Sequence, residues 1–178
     1  VRLAVNGLTV ANSAGAVVVD DITFDVAGGE ILCIAGVQGN GQSELADALL
    51  GNLPVLSGRI SLDGRDLTGA TPKATIAAGL GFVPEDRQHD GFIGSFSIAE
   101  NLVLNRFDAP PFASGLSLNL KAINDNANRL RDEFDIRTPD VQNVGSSLSG
   151  GNAQKVVLAR ELSRELALLV ASQPTRGV

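Results

Sequence analysis

The first segment whose residue types could do chemistry is a glycine-rich stretch between an apolar run and an amphipathic run. Its residues are Gly36, Val37, Gln38, Gly39, Asn40, Gly41, Gln42 and Ser43. Glycines in such a loop let successive backbone N–H groups turn toward phosphate oxygens, and the N-terminus of a following helix adds partial positive charge. The stretch therefore predicts a phosphate-binding loop, with the Ser43 hydroxyl at the position of a Mg²⁺ ligand.

Position 42 departs from this pattern, because Gln42 stands where such loops carry a phosphate-binding lysine. A pair of unit charges about 4 Å apart is worth about 4 kcal/mol at an effective dielectric constant of about 20. An amide can donate a hydrogen bond but lacks that charge, so we expect affinity to fall while the backbone cradle remains. A glycine-rich turn between a strand and a helix, without any ligand, is the alternative interpretation.

A second candidate segment opens a predicted helix near the end of the sequence. Its residues are Leu148, Ser149, Gly150, Gly151, Asn152, Ala153, Gln154 and Lys155. Glycine costs about 1 kcal/mol relative to alanine inside a helix, so two in succession need a reason. A backbone that must approach an anion closely supplies one. For Ser149 taken alone, a simple helix N-cap is the alternative interpretation.

A third segment follows an apolar run. The run Leu166–Ala171 predicts a strand, and Ser172 and Gln173 come directly after it, before Pro174-Thr175. Taken without the other segments, Ser172 and Gln173 are ordinary loop residues.

The elements that must position these segments follow from apolar periodicity. The pattern predicts strands at 3–10, 17–26, 30–35, 59–62, 81–83 and 166–171, and helices at 42–50, 72–78, 97–106, 118–136 and 151–163. Strands that alternate with helices imply an α/β fold with a mainly parallel sheet. We expect one domain with a core at about 1–85 and 147–178 and a helical insert at about 86–146. Cys33, inside the predicted strand 30–35, is expected to be a buried core residue.

Composition limits the class of protein. The chain has 178 residues, enough for one domain with a core, and 44% of them are hydrophobic and 19% charged. A net charge of −6 argues against a nucleic-acid partner, which requires a basic surface. No apolar run reaches the ~20 residues needed to span a bilayer. Because the chain starts at Val1 rather than methionine, we expect a fragment of a longer protein.

Together and in this order, the three segments resemble the ATP-binding domain of ABC transporters. The string from Leu148 is similar to the family's signature motif LSGGQ, with Asn152 in place of the glutamine. The strand ending in Pro174-Thr175 is similar to the family's Asp-Glu-Pro-Thr motif. The resemblance covers essentially the whole chain. It implies a P-loop NTPase fold of the ABC type, with a small antiparallel β portion, an α-helical subdomain and a truncated C-terminal end.

Several positions depart from the family pattern. Ser172 replaces the Asp that organises Mg²⁺, and Gln173 replaces the general-base Glu. A glutamine cannot accept the proton of the attacking water, and losing a positioned base costs ~10²–10⁴ in rate. Glu85 stands where the family places a glutamine that senses Mg²⁺ and contacts membrane subunits. No adenine-stacking aromatic occurs at 10–13, and His89 lies too early to be the family's switch histidine. The resemblance therefore implies no intact catalytic residue.

The strings Val83–Arg87 and Pro174–Gly177 look like the second ATP-binding half of importers for simple sugars and nucleosides, and Gly39–Leu45 is similar to the nucleoside branch. This implies ATP and Mg²⁺ as cofactors and a peripheral location on the cytoplasmic face of the membrane. It implies as partners a second ABC domain, expected on the same chain, transmembrane permease subunits and, indirectly, a solute-binding protein. The segment Leu148–Gln154 would serve ATP held by the second ABC domain.

Two other functions compete with transport. An ABC-type domain can sense nucleotide in a soluble machine without any transport role, and the full-length sequence would separate that alternative from an importer. An active phosphotransferase of another P-loop family is the other possibility. The missing lysine at position 42 and the string from Leu148 to Lys155 argue against it.

Overall fold

The computed structural model describes residues 1–37, 39–86 and 90–173 of the chain. It divides into two compact units, the first made of Val1–Phe82 with Leu166–Ser172 and the second built from Val83–Glu165. The first unit carries the glycine-rich loop and the second carries the segment from Leu148.

An antiparallel sheet is the largest element of the first unit. It has four strands in the order β2-β1-β3-β4, with β1 at Leu3–Ala11, β2 at Val17–Val26, β3 at Val55–Leu62 and β4 at Arg65–Asp66. A β-bulge shifts the buried positions of β1 from Leu3 and Val5 to Leu8 and Val10. Gly7 has a φ of 58° at this bulge. The register change keeps one apolar face of β1 toward the core.

Two helices cover this core. Helix α1 (Gln42–Leu50) buries Leu45, Ala48, Leu49 and Leu50, and it ends at Gly51, whose left-handed backbone donates to the carbonyls of Ala48 and Asp47. Helix α2 (Pro72–Ala77) begins after Thr71, which caps the N–H of Ala74. The buried hydroxyl of Thr75 donates to the Leu50 carbonyl at 2.9 Å. This bond ties α2 to the end of α1.

The predicted strand at 30–35 is not formed, which corrects the sequence analysis. Residues 30–35 lie in no strand, Ile31 is 94% exposed, and Cys33 is exposed rather than buried. Strands β5 (Leu80–Val83) and β8 (Leu168–Ala171) pair with each other, and no described strand pairs with 30–35. Without a neighbour, an apolar run gains neither ladder hydrogen bonds nor packing. Among the described residues, β5 and β8 form a two-stranded sheet, whereas the antiparallel sheet has four strands.

The second unit is mainly helical. Its elements are α3 (Ile98–Asn101), the hairpin of β6 (Ala113–Ser114) and β7 (Ser117–Leu118), α4 (Leu120–Glu133), a 3₁₀ turn (Gly145–Ser147) and α5 (Gly150–Leu162). One apolar cluster joins the three α-helices and includes the fully buried Ile98, Leu130 and Val156. The predicted helix 97–106 is shorter in the structure, because turns follow Asn101. The described residues contain no helix that is both long and apolar enough to cross a membrane.

A buried ion cluster fixes the C-terminal half of α5. The carboxylate of Glu161, a residue only 4% exposed, accepts from Nε of Arg160 at 3.0 Å, from Nη2 of Arg164 at 3.0 Å and from Nδ2 of Asn105 at 3.1 Å. Arg160 also donates to the Gly91 carbonyl at 2.9 Å. Such a cluster stabilises a fold only while every charge keeps its partner.

A further arginine lies beside this cluster. The guanidinium of Arg106 lies 5.0 Å from the ring centroid of Phe112 and donates to the Ser163 hydroxyl. Burial, followed by the nearby charge of Arg164, lowers the pKa of Arg106.

Candidate functional site

The glycine-rich loop leads into the start of a helix and lies against strand β2. Helix α1 begins at Gln42 as predicted, and Gly41 precedes it with a φ of 93°. A Cβ on Gly41 would overlap the backbone oxygen of Val18 in β2. Only glycine therefore allows the loop to lie against β2 in this conformation. Gly39, with a φ of 90°, also lies in the left-handed region.

The side chain of Gln42 turns back into its own loop. Its Nε2 donates to the Val37 carbonyl over a long 3.4 Å, and a Cβ on Gly36 would overlap the same nitrogen. Gly36 therefore leaves the room that the Gln42 amide occupies. A lysine ammonium at this position would be attracted to a bound phosphate. The Gln42 amide instead contacts the Val37 carbonyl of its own loop.

The residues at the positions predicted to organise Mg²⁺ fit the ion poorly. Ser43 is exposed in the first turn of α1, Ser172 is half-buried, and Gln173 is exposed with a φ of 45°. Mg²⁺ prefers near-octahedral oxygen ligation with at least one carboxylate besides phosphate oxygens. No group of three or more potential ligands from His, Cys, Asp and Glu occurs in the described parts of the chain. Of the Mg²⁺ ligands expected for such a site, this chain retains the hydroxyl of Ser43.

An open cavity of about 480 Å³ lies beside the loop. Gly36, Asn40, Gly41 and Gln42 line one side of it. The β2 residues that line it, which sequence reasoning missed, are Val18, Val19, Asp20, Ile22 and Phe24. Asp21, with a φ of 48°, lies at a register shift of β2 between Val19 and Ile22, so simple alternation along the strand could not have found these residues. The cavity is bounded mainly by apolar side chains and the loop backbone.

The start of α5 presents an unobstructed backbone. Ser149 is the N-cap, but its side chain makes no capping hydrogen bond. Neither Gly150 nor Gly151 has a positive φ, and a Cβ on either would meet no described atom within 4 Å. Neither backbone strain nor packing within the described residues therefore requires glycine at these positions. Helix geometry leaves the first N–H groups of α5 without intrahelical acceptors.

Two side chains in the first two turns of α5 bind the segment after α4. Asn152 accepts from the backbone N–H of Arg137 at 2.8 Å and donates to the Ser149 hydroxyl oxygen at 3.0 Å. Lys155 donates to the backbone oxygen of Asp135 at 2.6 Å and to its carboxylate at 2.8 Å. The hydrogen bond and charge of Lys155, with the charge of Arg137, lower the pKa of Asp135. Both contacts therefore favour the charged carboxylate of Asp135.

Sequence reasoning missed Asp135 and Arg137. Asp135, two residues after the end of α4, has a φ of 49°, a conformation that aspartate tolerates better than most residues. A short polar residue at the end of a predicted helix was the available signal.

The other predicted site residues have mixed surroundings. Leu148 packs on the core of the second unit, Gln154 is buried in α5, and Glu85 is half-buried. Gln38, His89 and 174–177 lie outside the described residues. The structure thus brings Ser149 together with Asn152, and Gln42 together with Gly36 and Val37.

Comparison with known proteins decides the family. The family profile described as ABC transporter matches residues 19–176. The chain belongs to the ABC transporter family. The nucleoside import ATP-binding protein NupA of Lactococcus lactis subsp. cremoris is 41% identical over 178 residues, which are 100% of this chain and 35% of that protein.

Two more relatives of this ABC chain carry import names. The guanosine import ATP-binding protein NupO of Bacillus subtilis is 40% identical over 99% of this chain and 34% of its own length. The glucose import ATP-binding protein TsgD13 of Haloferax volcanii is 42% identical over 99% of this chain and 32% of its own length. The chain thus spans about a third of the length of these relatives.

Solved ABC cassettes share the fold. A dimeric, post-hydrolysis ATP-binding cassette bound to ADP and phosphate matches with a TM-score of 0.78 at 18% identity, over 99% of this chain and 75% of that chain. A nucleotide-free cassette from an ABC transporter matches with a TM-score of 0.79 at 20% identity, over 99% and 70%. These matches confirm the ABC type of P-loop NTPase fold predicted from the sequence.

Proposed function

We propose that this chain is an ATP-binding domain of an importer for a nucleoside or a simple sugar. Its own phosphate loop is degenerate, and the start of α5 serves an ATP molecule held by a second ABC domain. The observation that carries the proposal is the open start of α5. Gly150 and Gly151 have no described neighbour within 4 Å of a Cβ, and Ser149 does not cap the helix with its side chain.

The chemistry of α5 suits a developing negative charge. N–H groups at a helix start and a serine hydroxyl can donate to the γ-phosphate, where charge accumulates during hydrolysis. The residues that would catalyse hydrolysis at this chain's own loop are absent, since Gln173 cannot accept a proton from water and Gln42 carries no charge. ATP would be hydrolysed with Mg²⁺ at the phosphate loop of the other domain. This chain would help to position the γ-phosphate there.

The relatives support the importer assignment. Three proteins at 40–42% identity carry names for nucleoside, guanosine and glucose import. Since this chain covers about a third of each, a second ABC domain on the same polypeptide fits the remaining length. Partners would be transmembrane permease subunits on the cytoplasmic side, with Glu85 and the helical unit directed to them, and indirectly a solute-binding protein.

Nucleotide titration tests the degenerate loop. We expect the purified chain to bind Mg-ATP weakly in calorimetry and to release no phosphate above background, because the lysine charge, worth about 4 kcal/mol at close range, and the general base are missing. Ser43→Ala is the matched control, since it removes the one predicted Mg²⁺ ligand. Robust turnover that Ser43→Ala leaves intact would contradict the assignment of this loop.

A further inference from the structure

The side-chain amide of Asn152 has a fixed orientation. Its Oδ1 accepts from the backbone N–H of Arg137 at 2.8 Å, and its Nδ2 donates to Oγ of Ser149 at 3.0 Å. A backbone N–H can only donate, so the amide oxygen must face Arg137 and the NH₂ group must face Ser149. If the amide were flipped, its NH₂ group would face the backbone N–H of Arg137, and two donors would meet without an acceptor.

This orientation decides how the Ser149 hydroxyl acts. Because Oγ accepts from Asn152, the Ser149 proton points away from Asn152 and is available for donation. The residue is exposed, and no acceptor of its proton is found in the described part of the chain. The hydroxyl therefore presents a proton to its surroundings, beside the open N–H groups of the first turn.

We propose that Asn152 is a positioning residue that holds Ser149 as a hydrogen-bond donor toward the phosphate of an ATP bound by a second ABC domain. This inference rests on the proposed function, because it requires that phosphate to meet the start of α5. Asn152 acts through Ser149, since its Oδ1 is held by the Arg137 N–H while its Nδ2 donates to the Ser149 hydroxyl oxygen.

The anchor of Asn152 is held independently. Lys155 lies three residues further along α5 and binds Asp135, two residues before Arg137, through both its backbone oxygen and its carboxylate. The nearby carboxylate also lies 3.6 Å from Nε of Arg137. The first two turns of α5 are thus joined to residues 135–137, once through Asn152 and once through Lys155. Two contacts restrict both the position and the rotation of the helix start, so Ser149 is presented in one direction.

An aspartate at position 152 would keep the shape of the side chain and reverse its polarity. One carboxylate oxygen can still accept from the backbone N–H of Arg137, so this hydrogen bond remains. The other oxygen accepts the Ser149 proton instead of donating to Oγ. Ser149 would then turn its lone pairs toward the phosphate, where they repel rather than bind.

The test uses the full-length transporter assembled with its membrane subunits. Asn152→Asp is expected to lower the maximal ATPase rate by about ten-fold or more and to change the half-saturating ATP concentration by less than about two-fold, because the lost contact forms only when the domains close on ATP. Asn152→Ala is expected to lower the rate by about three-fold or more. Asn128→Asp is the matched control, since Asn128 bonds one backbone oxygen on α4, and we expect it to change neither quantity.

A double-mutant cycle separates polarity from added charge. With Ser149→Ala, the further change Asn152→Asp is expected to lower the rate by less than about three-fold, because the hydroxyl that it would misdirect is gone. An equal loss in both backgrounds, or a normal rate for Asn152→Ala, would overturn the role of Asn152. If Ser149→Ala itself has no effect, the proposed function fails. If Ser149→Ala is damaging while both Asn152 variants are harmless, only this inference fails.

Discussion

Replacing Gly150 with aspartate is expected to lower ATP-driven solute uptake by about a hundred-fold or more, the effect of losing a donor to a developing oxyanion. A Cβ at position 150 meets no described atom of this chain within 4 Å, so the variant should fold normally. The loss would arise where α5 meets the second domain's ATP, because the new side chain adds both bulk and a negative charge facing phosphate. Uptake is measured in membranes with each variant at matched expression.

Two controls make the Gly150 result interpretable. Gly150→Ala adds bulk without charge, so its activity should fall between the natural protein and Gly150→Asp. Gln42→Ala removes at most a neutral hydrogen bond, worth about 0.5–1.5 kcal/mol, and should leave most of the uptake. The bond that it removes, from Nε2 to the Val37 carbonyl, is internal to the loop. If Gln42→Ala were as damaging as Gly150→Asp, this chain's own loop would be working and the proposed division of labour would be wrong.

Local signals in the sequence predicted the elements that do not depend on distant neighbours. Helix α1 has the predicted bounds, because its apolar stripe is flanked by Gly41 and Gly51, which both adopt left-handed conformations. Helix α2 begins after Thr71 with Pro72 in its first turn, as the capping pattern predicts. These residues determine their own backbone conformation through a few neighbouring atoms.

The run 30–35 shows why other elements could not be predicted. Its apolar residues satisfy the pattern of a buried strand, but a strand also needs a hydrogen-bonded neighbour, which periodicity does not reveal. In the structure Ile31 is 94% exposed. The same applies to the candidate site, where motif residues were found but their contacts were not. The bond from Arg137 to Asn152 joins residues 15 apart, and the folding back of Gln42 onto Val37 depends on a missing Cβ at Gly36.

Glu161→Ala is expected to lower the free energy of unfolding by about 3–5 kcal/mol, the cost of leaving buried charges without their partner. Glu161 is 4% exposed and accepts from Arg160, Arg164 and Asn105. The guanidinium groups of Arg160 and Arg164 would lose the carboxylate that accepts from both of them in the interior. Denaturant unfolding of the purified proteins measures the change, provided that both variants show the same dependence of the unfolding free energy on denaturant concentration.

The matched control for this prediction is an exposed pair on α4. Arg129 and Glu133 form an i,i+4 ion pair at 2.7 Å, with their side chains 55% and 53% exposed. Water and salt screen such a pair, so Glu133→Ala should cost less than about 1 kcal/mol. Glu161→Gln should fall between the two, because its amide oxygen still accepts hydrogen bonds although the charge is lost. Equal and small effects of Glu161→Ala and Glu133→Ala would contradict the buried cluster and its role in holding α5.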